Sequence, residues 1–492
     1  SRGLWVVVSE LAKSQVKGRR TAARTSKRNS LRQPFSLTLL ALSLSGLIVT
    51  SAANANDWFL PVGNGSWSDE DNWQSGNIPF SNTDATVSSG GTAVITAENA
   101  LVRNLDIAIN SRVIVDGTIT SLLGQQTIFR VLGTLALEDG SFTVRLGSVA
   151  NLAQMQSAIG SNTITVEHSG SQLNIQQFET NIGLSDGTTL LIRNGGVVSS
   201  ARNTIGTNRN HTGTVIVDGA DAHWDTERIV IGDKGTGSLI VRNGGKATMA
   251  LNSDLFMGRP ESSFDFTPDP EAALSINTLN IGAAAGETAQ APGTIIAKGI
   301  KFGQGTNTVV FNHTSDDYEF SVDISSQHER LPPGSIEVFS GTTLFTGDVY
   351  SGVYSSLGDE FNTTGERSLF VGDILIHGGA LSIGNGGTEG AINGDIHVEE
   401  NGSLIFNHAT DKNYAYRVTG TGTLIKQGEN TLTLNRVNQT GNLLVEQGSL
   451  VLGSGGELNN SGNATIGNIQ GNSADVGFSA ADRTWTLAGN LF

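Results

Sequence analysis

The side chains able to do chemistry are few for 492 residues, and they lie far apart. There are eight histidines, His168, His211, His223, His313, His328, His377, His397 and His408, and no cysteine. Thiolate nucleophiles, thiolate zinc sites and disulfide staples are therefore excluded. His211 and His223 stand twelve residues apart with Asp221 and Asp225 nearby. That spacing suits a metal ion or a general base if the fold brings the four together; polar residues facing turns are the expected reading. His313 and His408 each close a Phe-Asn-His triplet, Phe311-Asn312-His313 and Phe406-Asn407-His408. Matched contexts point to a repeated structural position with a hydrogen bond at a chain corner, not to one active site. Asp69-Glu70-Asp71 and Asp316-Asp317 lack the D-x-D-x-D-G spacing of a calcium loop, so solvated loop charge is expected. No H-E-x-x-H zinc helix, phosphate-binding G-x-x-x-x-G-K-[ST] loop or Gly-Asp-Ser-Gly stretch occurs. The expectation is a chain with no catalytic residue, no cofactor and no metal.

The elements that would have to position such residues are short strands. Glycine supplies 62 residues and charged residues only 15 %, a composition that disfavours helices and favours strands broken by turns. A single compact core does not grow past a few hundred residues. A chain of this length therefore divides into domains or extends as a one-dimensional repeat. Its charge is unevenly spread. Nine of the 30 basic residues and one of the 46 acids fall within residues 1–34, which leaves 21 basic against 45 acidic residues downstream, a net of −24. An acidic body repels nucleic acid and anionic membranes, so no nucleic-acid partner is expected.

The basic head precedes an apolar run from Phe35 to Val49 and then Ala53-Asn54-Ala55. Basic head, apolar core and an A-x-A ending define a secretory signal; the run is too short for a good membrane span. Cleavage is expected between Ala55 and Asn56, with Ala53 as the other small residue of the site. Residues 1–34 form an extended basic signal region and 35–55 the apolar core and cleavage site, with helices around 3–16 and 35–50.

Downstream, Ile182-Gly183, Ile205-Gly206, Ile231-Gly232 and Met257-Gly258 recur at 23, 26 and 26 residues, and Asn194-Gly195, Asp218-Gly219 and Asn243-Gly244 at 24 and 25. A period in the twenties is a solenoid signature. Glycine and asparagine suit its corners, where positive φ costs them little. The fold class read from this is all-β: a right-handed parallel β-helix, its hand following the usual crossover preference, preceded by a helical signal peptide. Its expected parts are an N-terminal cap over 56–100, regular repeats over 101–258, irregular coils with Pro-rich loops over 259–334, and further β-helix over 335–492. Six of nine prolines lie between Pro260 and Pro333, which places loops near 259–272 and 326–334.

Five stretches resemble autotransporter passengers of the type V secretion family. Gly3-Leu4-Trp5 to Lys13 is similar to that family's extended signal region, here without a starting Met. Trp58, Gly65-Ser66-Trp67 and Asp71-Asn72-Trp73 resemble a Trp-rich passenger start. These aromatics read as a cap on the coil stack, with a carbohydrate-stacking platform as the alternative. Gly213 to Gly245, with His223-Trp224, looks like a passenger repeat. Leu279 to Gly286, Ala291 to Thr294 and Phe311 to Thr314 resemble a block common in these proteins. Gly420 to Lys426, Thr431 to Leu434, Gly441 and Gly448-Ser449-Leu450 are similar to the autotransporter-associated β-strand repeat. The resemblance implies export through the periplasm to the outer-membrane surface, or the extracellular space, of a Gram-negative bacterium. A C-terminal barrel would supply the membrane attachment. No such barrel fits in 456–492, so a fragment of a longer chain is expected, with a truncated reading frame as the alternative.

The function implied is a non-catalytic surface rod, an adhesin or aggregation factor. Its partners would be receptors on host surfaces, matrix or sister cells, after passage through the export machinery. A polysaccharide-acting hydrolase or lyase is the alternative and would need carboxylates gathered on one face beside Arg or Lys. A spacer carrying a functional tip, missing or within 259–334, is the third.

Overall fold

Buried and partly exposed residues alternate along strand after strand, as in Thr236–Arg242 and Thr212–Asp218. One side chain in two therefore needs an apolar partner from another segment. The partner is the same position one turn of the chain later. The computed structural model describes residues 55–478, with breaks of six residues or more at 122–127, 261–268, 327–333, 352–369 and 467–473. Its strands pair in parallel in two sheets, of 16 and 25 strands. Successive coils of one chain lie on one another, the architecture of a parallel β-helix, and neither sheet closes into a barrel. Among the described residues there is no α-helix, only two short 3-10 turns.

The interior is built from columns of register partners. Ile164, Leu190, Val215, Leu239, Leu279, Val309, Ile336, Ile374 and Ile396 form one such column. Each is at most 1 % exposed. No coil could bury this face alone; stacking buries it continuously. Partners in the first four coils are 26, 25 and 24 residues apart, as the repeat of Ile-Gly and Asn-Gly pairs predicts. The separation rises to 40 between Leu239 and Leu279, across the expected loop near 259–272. It rises again to 38 between Ile336 and Ile374, where no proline marks extra chain. Toward the C-terminus coils shorten: Leu404 pairs Leu424, Leu424 pairs Leu443 and Thr431 pairs Ser449, separations of 20, 19 and 18.

The Ile-Gly corners work by conformation and by space. Gly183, Gly206, Gly232 and Gly258 have φ of +86°, +77°, +79° and +79°. A Cβ on Gly206 would stand 2.4 Å from the Thr236 carbonyl oxygen of the next coil.

At the N-terminal side the indoles of Trp58, Trp67 and Trp73 pack edge-on. Ring centroids are 5.0 Å apart for Trp58–Trp73 and 4.7 Å for Trp67–Trp73. Trp73 Nε1 donates to the Trp67 carbonyl at 2.8 Å. All three are 3 % exposed or less and join the continuous core. No indole face is open for a sugar ring, which removes the stacking-platform alternative.

The chain divides into two units, Ser1–Thr50 and Ser51–Phe492. The first lies wholly outside the described residues, as do the helices expected around 3–16 and 35–50, and Ala53. Ala55 and Asn56 open the first described strand, Ala55–Asp57, paired with Asp84 and Ala85.

Candidate functional site

Of the two histidines singled out by spacing, His211 has a buried Nδ1 without a partner among the described residues, and His223 reaches the next coil. His223 Nε2 lies 3.2 Å from Thr248 Oγ1 and 3.5 Å from Asp225 Oδ1. Among the described residues no three His, Asp or Glu side chains gather as metal ligands. His313 and His408 occupy equivalent buried corners, 0 % and 3 % exposed. His313 Nε2 pairs with Thr343 Oγ1 at 2.9 Å, and His408 Nε2 donates to the Gly390 carbonyl at 2.9 Å. Each follows an asparagine whose carbonyl packs under a positive-φ glycine of the preceding coil, Asn312 under Gly282 and Asn407 under Gly384. Burial pushes the His313 imidazole down to about 4 and lowers that of His408. The acidic clusters act locally: Asp69 Oδ1 accepts the Asp71 N–H that opens a 3-10 turn, and Asp317 accepts from Ser315. Gly183 to Gly187 has the G-x-S-x-G spacing of a hydrolase elbow. It runs between the strands Glu179–Ile182 and Thr188–Arg193, so no helix follows it as that elbow requires. Ser185 lies outside the described residues.

The arrangement that local motifs did not reveal is made by register. A parallel stack places outward side chains in columns about 4.8 Å apart, so their charges must agree from coil to coil. One column does this by alternation: Glu167, Arg193, Asp218 and Arg242 are register partners. Arg193 Nη2 meets Glu167 Oε2 at 2.7 Å and Arg242 Nη2 meets Asp218 Oδ2 at 2.9 Å. Asn243 Nδ2 adds a hydrogen bond to Asp218 Oδ1 at 2.7 Å.

The second column breaks that rule. Glu179, Arg202 and Arg228 are partners, and Asp254 follows, one residue before Leu255, the partner of Ile229. Two guanidinium groups thus stand next to each other. Among the described residues Arg228 has no carboxylate within ion-pair distance, and its buried Nε has no hydrogen-bond partner. Its guanidinium carbon lies 4.4 Å from the centre of the Phe256 ring. Burial, and then the Arg202 charge, lower its pKa. Beside this column a cleft of about 220 Å³ is lined by Glu179, Arg202, Arg228, Asp233 and Arg259, with Thr204, Val230 and Pro260.

One wall of the cleft is Pro260, and ion pairs tie the described residues on either side of 261–268 to each other and to the coils. Arg259 Nη1 meets Asp269 Oδ2 at 2.5 Å and its Nε lies 3.6 Å from Asp233 Oδ1. Lys234 Nζ reaches Glu271 Oε2 at 3.0 Å and Asp269 Oδ2 at 3.5 Å. The Asp269 N–H donates to Gln304 Oε1 at 2.9 Å. Burial raises the Asp233 carboxyl, while the Glu271 N–H bonded to Asp269 holds that carboxyl low. Arg259 is therefore engaged by Asp269 and Asp233, whereas Arg228 lines the cleft with the charges of Glu179 and Asp254 acting on it from a distance and no ion pair of its own among the described residues.

Along the same face Lys301 sits 7 % exposed, its Nζ donating to Ser325 Oγ at 2.9 Å and lying 5.8 Å from the Tyr350 ring centre. Burial lowers the Lys301 pKa and raises that of Asp254, each opposed by the other's charge. Asp323 adds to the field at Lys301.

No family model and no solved structure matches the chain. Among curated proteins, similarity covers parts of it. The Escherichia coli K12 protein "Uncharacterized lipoprotein YdeK" is 32 % identical over 174 residues, 35 % of this chain and 12 % of that protein. "Uncharacterized protein YuaQ" of the same strain is 27 % identical over 227 residues, 46 % of this chain and 15 % of that protein. "Adhesin BmaC autotransporter" of Brucella suis is 33 % identical over 99 residues, 20 % of this chain and 3 % of that protein. The chain thus spans no more than 15 % of the length of any of these relatives.

Proposed function

We propose that this chain is a segment of an autotransporter passenger. It would be a non-catalytic rod displayed outside a Gram-negative cell, adhering to host surfaces, matrix or sister cells. The observation that carries the reading is the uninterrupted stack of parallel coils. The 99 residues similar to a named autotransporter adhesin support it. Long exposed faces favour many weak contacts acting together, so avidity supplies affinity. The export signal at 35–55 would deliver the chain to the periplasm, and cleavage would leave Asn56 as the mature N-terminus. The test is binding of the purified chain to epithelial cells, matrix proteins and bacteria displaying the same chain. Saturable binding or clumping is expected; silence across the whole panel would sink the adhesive role.

A second reading is favoured by one observation. Asp254 and Asp323 flank Lys301, with perturbed titration of Asp254 and Lys301, the sort of carboxylate–lysine cluster that serves acid–base chemistry. Under that reading the rod cleaves a polysaccharide, with Asp254 or Lys301 moving the proton. Incubation with neutral and acidic polysaccharides decides between the two. New reducing ends or unsaturated sugars, lost in Lys301→Met, would favour the enzyme; intact polymers are expected.

A further inference from the structure

We propose that the cleft beside Arg202 and Arg228 is a subsite for an acidic sugar, its anion a carboxylate or a sulfate ester held by the two guanidinium groups. The inference rests on the adhesive reading above and names the ligand chemistry.

The first argument is the like-charged pair. Arg202 and Arg228 are direct register partners, an adjacency that costs stability in a sheet. The chain elsewhere places opposite charges one coil apart, as at Glu167–Arg193 and Asp218–Arg242. Two planar forks side by side are what a carboxylate or sulfate binds best, and an anion between them would turn the repulsion into attraction.

The second argument is the orphaned donor. Arg228 Nε is buried without a partner, and a buried unsatisfied donor is costly until something accepts from it. Arg259 cannot serve in its place, because Asp269 and Asp233 already engage it.

The third argument selects a sugar. The cleft mixes cations with the acceptors Glu179 and Asp233, the hydroxyl of Thr204, and the apolar Val230 and Pro260. A ligand filling it has to present one anion, several hydroxyl donors and a C–H face. Its volume suits one or two pyranose rings. An acidic peptide or nucleic acid would set dense negative charge against Glu179, Asp233 and an acidic body.

The test is calorimetric titration of the full chain with glucuronic acid, glucose 6-sulfate, glucose and inorganic sulfate. Either acidic sugar should bind, and the stronger of the two identifies the anion; glucose should bind at least about tenfold more weakly. Arg228→Gln should lower affinity at least about tenfold, with Arg228→Lys between, since an ammonium keeps the charge without the fork. The exposed Arg209→Gln should leave binding unchanged. Unaltered hydrogen exchange in Arg228→Gln confirms that the coils persist. No binding of either acidic sugar overturns the proposal, as does equal binding by glucose, by inorganic sulfate or by Arg228→Gln. Cell binding is measured on the same samples. Adhesion retained without sugar binding refutes the subsite alone, whereas sugar binding without adhesion refutes the adhesive role alone.

Discussion

Lowering the pH from 7 to 5 should loosen the coils around His313 more than any other described coils. His313 is 0 % exposed, with Nε2 on Thr343 and no partner for Nδ1. Its imidazole is held neutral, with the pKa down to about 4 because burial penalises the cation. When the coil opens, the imidazole regains its ordinary value of about 6.5. Below that pH the open state binds a proton that the closed state does not, so stability falls as pH drops toward the folded value. Near pH 5 the difference between the two titrations is on the order of 2 kcal/mol, or about 30-fold in the opening equilibrium. Acidic residues titrate in the same range, so the comparison is with His313→Gln, which keeps a donor for Thr343 and cannot titrate. Hydrogen exchange of peptides spanning Thr306–Asn312 and Thr342–Phe345, corrected for intrinsic rates, reports the local opening. The native chain should lose about 20-fold more protection than the variant between pH 7 and 5, since about 1.3-fold of the effect is already present at pH 7. Equal losses in both would refute the claim that His313 carries a buried neutral ring.

Two substitutions probe the corners and the C-terminal coils. Gly206→Ala and Gly76→Ala share a positive φ, +77° and +64°, but only the first would drive a Cβ into backbone, 2.4 Å from Thr236 oxygen; the second meets nothing within 4 Å. Gly76→Ala should cost about 1 kcal/mol and Gly206→Ala roughly 3 kcal/mol or more, read as protease sensitivity of the coil at Thr212–Asp218. Lys426, 1 % exposed, donates to the carbonyls of Gln427, Gly428 and Gln447. Lys426→Met strips the donor from all three and should destabilise the coils over 423–452 by roughly 2–4 kcal/mol, seen as early melting of that end while exchange near Leu190 stays slow.

The coil was legible wherever a residue type had a conformational monopoly. Gly after Ile at 183, 206 and 232, and after Met at 258, marks corners because only glycine takes that φ against a neighbouring backbone, and the equivalence of His313 and His408 followed from matched triplets in matched corners. The loop beginning at Pro260 was legible from its prolines. The extra chain between Ser351 and Phe370 was not, because it mixes Gly, Ser and Thr with apolar and charged residues like the coils around it and carries no proline. The shortening of coils from 26 to 18 residues was hidden for a related reason: each coil keeps its apolar alternation while losing residues from its turns.

The cleft escaped local motifs because none of its charged residues are neighbours in the chain, yet its column was written in the repeat. Glu179, Arg202, Arg228 and Asp254 each stand three residues before a corner glycine's apolar partner, Ile182, Ile205, Ile231 and Met257. Reading the sequence at that fixed offset returns the signs minus, plus, plus, minus, and the like-charged middle pair is visible before any coordinate. In a solenoid a site is assembled one coil at a time, so the informative spacing is the coil length itself. A charge repeated at that spacing is a cost the fold must bear, and it is tolerated where a ligand of opposite sign relieves it. The column Glu167–Arg193–Asp218–Arg242 shows what the same chain builds when structure alone is served. The departure from it at Arg202 and Arg228 is therefore the place in this coil stack where recognition is to be sought.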